Sequence, residues 1–173
     1  VLGVDRPVFM YVGRVAVEKG LEDFLRLSLP GTKVVVGDGP ARAHLEAKFP
    51  EAVFTGFKQG EELAAHLASA TVFVFPSRTD TFGLVLYEAM ACGVPVAAYP
   101  VQGPRNIVTH GVTGYLDEDL GQAAREALEL SPEHCREAAM GHSWRAATEQ
   151  FVTHLEPLAS AALATGSAHT GDG

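Results

Sequence analysis

The chain has 173 residues, close to half of them apolar, which suits one domain with a real core plus a tail. No apolar run approaches the ~20 residues that a membrane-spanning helix needs. The formal net charge of −8 argues against general nucleic-acid binding, which requires a basic face. An acidic chain still binds phosphate when a few local cations or a helix N-terminus are turned toward it.

In chain order, the opening Val1-Leu2-Gly3-Val4-Asp5-Arg6-Pro7 has neither a charged n-region nor an apolar h-region, so it does not read as a signal peptide. The missing initiator Met suggests a fragment. Residues 8–12 form the first expected strand, followed by Gly13-Arg14 and a helix over 18–28. Strand 33–36 leads through Gly37-Asp38-Gly39-Pro40 into a helix over 40–49. Strand 52–55 precedes a helix over 60–70, strand 72–75 a helix over 82–92, and strand 94–98 closes the series. Most of these strands are continuous apolar runs, as expected when both faces of a parallel sheet are buried. Their alternation with helices reads as repeated βαβ units, hence an α/β, Rossmann-like, doubly wound parallel sheet.

Beyond Gly114 the pattern turns helical, over 120–130, 132–140 and 143–162, with Ser131-Pro132 and Ser143 as caps. Residues 1–162 are read as one domain and 163–173 as a disordered tail of small polar residues. Cys92 and Cys135 form no CxxC and are read as reduced core thiols of a cytoplasmic protein.

The residue that fits its surroundings least is Glu88, in Phe82-Gly83-Leu84-Val85-Leu86-Tyr87-Glu88-Ala89-Met90-Ala91-Cys92. A helix apolar nearly all round is expected to be buried, and a buried carboxylate must be paired or hydrogen-bonded. Glu88 is therefore either satisfied by protein groups or turned toward a cleft to accept from ligand hydroxyls. Thr79-Asp80-Thr81 offers N-caps for this helix. Its N-terminus, following strand 72–75, would present free N–H groups to an anion at the carboxyl end of the sheet. Gly83 would let a ligand come close to the backbone. After the first strand, Arg14 and Lys19 could together neutralise a diphosphate, or be an ordinary ion-paired and a solvated charge.

Other motifs are set aside. Gly37-Asp38-Gly39-Pro40-Ala41-Arg42 begins like GxGxxG but has Arg42 at the third glycine. No GxxxxGK[ST], HExxH or GxSxG occurs. Asp117-Glu118-Asp119 matches a loose DxD string, yet it reads more simply as the cap and charge of the following helix.

The run Pro76-Ser77-Arg78-Thr79-Asp80-Thr81-Phe82-Gly83-Leu84-Val85-Leu86-Tyr87-Glu88-Ala89-Met90-Ala91-Cys92-Gly93-Val94-Pro95-Val96 closely resembles the donor-site signature of family 4 glycosyltransferases. These are retaining enzymes of GT-B architecture, and the signature places Phe-Gly between two acids. Tyr11-Val12-Gly13-Arg14 with Lys19-Gly20 resembles the family's diphosphate site. Val36-Gly37-Asp38-Gly39-Pro40 resembles its second-strand loop, and Phe54-Thr55-Gly56-Phe57 the turn beside the nucleobase. Ile107-Val108 and Gly111-Val112-Thr113-Gly114-Tyr115-Leu116 resemble the segment after the fifth strand.

The resemblance implies that Arg14 and Lys19 bind the diphosphate and stabilise charge on the leaving nucleotide. It implies that Thr81, Phe82, Gly83 and Leu84 surround the phosphate or donor sugar, largely through backbone N–H groups. Asp80 would hold sugar hydroxyls, Glu88 the ribose, and Gly13, Gly37 and Phe57 would line the rest of the site. The donor would be a UDP-sugar or GDP-sugar, with no metal and no further cofactor. Two positions depart from the family pattern. Asp80 stands where Glu is usual, one methylene shorter, and Asn106 stands where a Glu follows the Gly-Gly turn. The resemblance covers only the C-terminal, donor-binding half of a GT-B fold, so the N-terminal acceptor-binding domain is the expected partner. Any peripheral membrane contact would come through that domain. Two alternatives are a non-catalytic nucleotide-sugar-binding module and a GT-B sugar-nucleotide epimerase.

Overall fold

Six short strands pair side by side, every pairing parallel: β1 (Val8–Val12), β2 (Thr32–Val36), β3 (Val53–Gly56), β4 (Val72–Phe75), β5 (Val96–Ala98) and β6 (Gly114–Leu116). Their order across the sheet is β3-β2-β1-β4-β5-β6. A computed structural model describes residues 2–80 and 83–141 of the chain. The chain divides into two units, Val1–Ala139 and Met140–Gly173. Of the second unit, only Met140 and Gly141 are among the described residues, at the end of a helix.

Seven α-helices are described: α1 (Leu21–Arg26), α2 (Arg42–Lys48), α3 (Gly60–Ser69), α4 (Leu84–Ala91), α5 (Gln102–Ile107), α6 (Leu120–Glu126) and α7 (Pro132–Gly141). The two faces of the sheet are covered separately, because successive strand side chains point to opposite sides. Phe9, Tyr11, Val35, Val74 and Ala97 pack with Leu21 and Phe24 of α1, Leu45 of α2 and Ala123 of α6. Met10, Val34, Phe73, Phe75 and Val96 pack with Leu67 of α3, Leu86 and Met90 of α4, and Cys135 of α7. Each large apolar side chain buried this way contributes roughly 1.5–3 kcal/mol. The doubly wound α/β sheet expected from the strand pattern is the fold observed.

Several boundaries differ from expectation. The helix expected over 18–28 is a 3-10 turn, Val17–Lys19, then α1, because Gly20 adopts a left-handed conformation between them (φ 67°). The helix over 120–130 likewise ends in a 3-10 turn, Ala127–Glu129. Two elements carry no clear signal. β6 has three residues in a glycine-containing turn sequence, too few for a period to show. α5 holds Gly103 and Pro104, poor helix formers that are tolerated in a first turn. Both cysteines are free; Cys135 is buried, but Cys92 is only partly so. Burial pushes the Cys135 thiol up to about 11. The helix over 143–162, its Ser143 cap and the tail over 163–173 lie outside the described residues.

The strand order runs outward from β1 to β3, then returns to β4 on the other side of β1. The order thus reverses between β1 and β4, the switch point at which sheets of this kind form a crevice beyond the carboxyl ends of their strands.

Candidate functional site

Three loops meet at that crevice and are tied to one another. The Gly13 N–H donates to the Val36 carbonyl at 3.0 Å, Val15 N–H to Asp38 at 2.9 Å, and Gly37 N–H to Gly56 at 2.9 Å. These bonds continue the β1–β2–β3 ladder past the strand ends, so the floor of the crevice is rigid. A Cβ on Gly37 would overlap the Gly13 carbonyl, so only glycine permits this approach. The third-glycine position of the motif, Arg42, does structural work instead. It pairs with Asp38 at 3.0 Å and with Glu46 at 2.9 Å.

The loop after β1 also crosses to the loop after β4. A Cβ on Gly20 would lie 2.6 Å from the Pro76 carbonyl oxygen. This contact brings Lys19 Nζ to 2.5 Å from Asp80 Oδ1, with both side chains about three-quarters covered. Lys19 is thus not a free surface charge. Arg14 is two-thirds exposed and holds Glu18 loosely, at 3.6 Å, a pair that contributes little and is easily exchanged for an anion. Beneath them Tyr11 is buried and donates its hydroxyl to the Arg14 carbonyl at 3.0 Å. Burial, followed by the nearby charges of Asp80 and Glu18, raises its ionisation well above the ordinary tyrosine value.

On the far side stands α4. Its N-cap is Gly83, and Thr79 and Asp80 do not cap it as expected. Asp80 is turned to Lys19, and Ser77, fully buried, accepts from the Thr79 N–H at 3.4 Å. Having no side chain, Gly83 leaves the first N–H groups of α4 without a side-chain cap of its own. Gly83 itself is buried: a Cβ there would lie 2.7 Å from Leu86 Cδ1. Its small size thus also serves packing against Leu86. Thr81 and Phe82 lie outside the described residues.

The expectation that α4 is buried all round is wrong. Leu86, Ala89 and Met90 face the core, while Leu84, Glu88 and Ala91 form an exposed stripe. Leu84 is 61% exposed. Glu88 therefore faces solvent and needs no protein partner to offset burial. Of its two open readings, the one with a buried, protein-satisfied carboxylate is excluded.

Beside Gly13 and Arg14 lies a pocket of about 330 Å³, lined also by Gly37, Asp38, Phe57, Lys58 and Leu63. Phe57, an expected site residue, is 68% exposed at its edge. A wider depression of about 620 Å³ borders Val112, Leu130 and His134. None of the expected site residues lines it. The smaller pocket is the better candidate because Arg14, Lys58 and the close-packed glycine loops line it.

Arg78, Tyr99, Glu118 and Asp23 position the loop after β4. Arg78 lies over the Tyr99 ring at 3.6 Å and pairs with Glu118 at 2.8 Å, and the Tyr99 hydroxyl donates to Asp23 at 3.1 Å. The partners lie on separate elements, so no local spacing reveals them. Asp119 caps α6 by accepting from Gln122 N–H at 2.9 Å, as expected of the acidic triplet. Among the described residues, no three His, Cys, Asp or Glu side chains are grouped to hold a metal ion, and no helix is long and apolar enough to cross a membrane.

Residues 6–131 match the family model described as "Glycosyl transferases group 1". The chain is similar to a GDP-mannose-dependent alpha-mannosyltransferase of Mycobacterium tuberculosis, 35% identical over 164 residues, which cover 88% of this chain and 43% of the relative. Among solved structures it resembles sucrose-phosphate synthase from Thermosynechococcus elongatus, with TM-score 0.74, 29% identity, and coverage of 90% of this chain and 46% of the other. The Anabaena protein HepE in complex with UDP shares the fold, with TM-score 0.69 and 22% identity over 88% of this chain and 49% of the other. The chain thus spans less than half the length of each.

Proposed function

Because the chain belongs to the glycosyl transferases group 1 family, we propose that it is the donor-binding half of a retaining, family 4 enzyme. That enzyme moves a sugar from a UDP-sugar or GDP-sugar to an acceptor. One observation carries this reading. Lys19 meets Asp80 where the loop after β1 crosses the loop after β4, and Arg14, from that same β1 loop, lines a pocket of about 330 Å³. The M. tuberculosis relative is named for its use of GDP-mannose, and the Anabaena protein holds UDP.

In this proposal the diphosphate displaces Glu18 from Arg14 and accepts a hydrogen bond from the Lys19 ammonium, while the N–H groups opening α4 complete its shell. Charge that grows on the leaving nucleotide meets cations already in place, which contributes several kcal/mol to barrier lowering in sites of this kind. Asp80, anchored by Lys19, accepts from donor-sugar hydroxyls. Glu88, on the exposed stripe of α4, accepts from the ribose. The acceptor and its binding groups belong to a second domain, and the reaction runs in the cytoplasm.

Calorimetric titration tests the binding step. The folded chain should bind GDP or UDP, and Glu88→Ala should weaken that binding about tenfold, ~1.4 kcal/mol. Wild-type affinity in the variant would remove Glu88 from the site, and no affinity for either nucleotide would refute the proposal.

A further inference from the structure

Lys19 and Asp80 face each other at 2.5 Å from loops far apart in sequence. A second tie between the same two segments runs through Tyr99. This residue follows β5, is 5% exposed, and lies in the core cluster that holds Leu21 and Phe24 of α1. Its hydroxyl donates to Asp23 Oδ2 at 3.1 Å. The Asp23 N–H in turn donates to the Gly20 carbonyl at 3.0 Å, which fixes the turn that carries Lys19. The face of the Tyr99 ring takes the Arg78 guanidinium, with Cζ 3.6 Å from the ring centroid, and Arg78 stands two positions before Asp80.

These contacts close a ring: Lys19, Gly20, Asp23, Tyr99, Arg78, Asp80 and back to Lys19. The loop after β4 could otherwise pivot about the close approach of Gly20 to Pro76 and draw Asp80 away from Lys19. Tyr99 supplies the second point that blocks such a pivot. Arg78 also pairs with Glu118 at 2.8 Å, but both side chains are about half exposed or more, so that pair contributes little by itself. The stack on a buried ring is better shielded from water, and its geometry suits the flat guanidinium of Arg. Burial first, and then the Asp23 charge, raise the Tyr99 hydroxyl above its ordinary value, so it stays a donor to Asp23 near neutral pH.

We infer that Tyr99 and Arg78 are positioning residues that hold Lys19 against Asp80, acting through Asp23 and the loop after β4 and not by contact with a ligand. The brace exists without ligand. Only its effect on binding rests on the reading of these loops as a nucleotide site.

NMR of the lysine ammonium groups in the isotope-labelled full chain, without ligand, tests the brace. The Lys19 signal is assigned by its loss in Lys19→Arg. Its protons should exchange with water about fivefold faster in Arg78→Met, and at least about twofold faster in Tyr99→Phe, which keeps the ring and loses only the hydroxyl. The ammonium groups of Lys48 and Lys58, paired elsewhere with Glu22 and Glu62, should be unchanged. Calorimetry with GDP and with UDP tests the consequence. Arg78→Met should weaken binding about fivefold in the wild-type chain but less than about twofold in Lys19→Met, where no ammonium is left to position. Unchanged Lys19 exchange in both variants, or equal loosening of all three lysines, overturns the inference. So does an equal loss of affinity with and without the Lys19 ammonium. Failure to bind either nucleotide refutes the nucleotide reading alone, and the ligand-free exchange still decides the brace. If Arg78→Met does not fold, Tyr99→Phe gives the same comparisons.

Discussion

Gly20 carries two constraints at once. Its backbone is left-handed, and the space its Cβ would fill is held by the Pro76 carbonyl oxygen. This crossing sets Lys19 against Asp80. Gly60 is also left-handed but has nothing within 4 Å of a built Cβ. Gly20→Ala should therefore destabilise the chain by about 1–3 kcal/mol, and by more than Gly60→Ala, which carries only the φ strain. Urea unfolding of both variants measures this, and equal losses would mean that the approach to Pro76 relaxes freely. At this scale the sequence placed Arg14, Lys19 and Asp80 on the loops after β1 and β4, and Phe57 just after β3, where they lie. The Lys19–Asp80 pair was not legible, because it joins loops 61 residues apart. Nor was the exposure of Glu88. Apolar neighbours on a helix are a weak sign of burial, since much of any protein's surface is apolar.

The helix α4 packs one face on the sheet and turns the other, with Glu88, toward solvent. Leu86 locks it onto the sheet, fully buried among Phe73, Phe75 and Val96, while Leu84, two residues earlier, is mostly exposed. Leu86→Ala should cost about 2–5 kcal/mol of stability. Leu84→Ala should stay within about 0.5 kcal/mol of wild type. Thermal or urea unfolding distinguishes them, and a large loss at Leu84 would reverse the face assigned to the helix. Periodicity could not choose that face, because both stripes hold apolar residues. The long central strands, by contrast, were legible to the residue: β1 and β4 begin and end where their apolar runs do. Shorter elements were not, since three residues of β6 and the Gly103-Pro104 start of α5 carry no period at all.

The parallel order β3-β2-β1-β4-β5-β6 turns these elements into a crevice, since it reverses between β1 and β4. The alternation of strands and helices made this fold class readable. The strand order itself depends on crossover choices that no local pattern encodes. The chain spans under half the length of the mannosyltransferase and the sucrose-phosphate synthase it resembles, and in the proposal it supplies one wall of the active site. The central claim is that a nucleotide lies across the loops after β1, β2, β3 and β4. Amide hydrogen exchange of the chain with and without saturating GDP tests it most directly. The account predicts slowed exchange at residues 13–19, 37–39 and 57–58 and in the first turn of α4, with residues 111–112 and 129–138 unchanged. Protection at the depression near Val112 and His134, with none at the β1 and β4 loops, would contradict it.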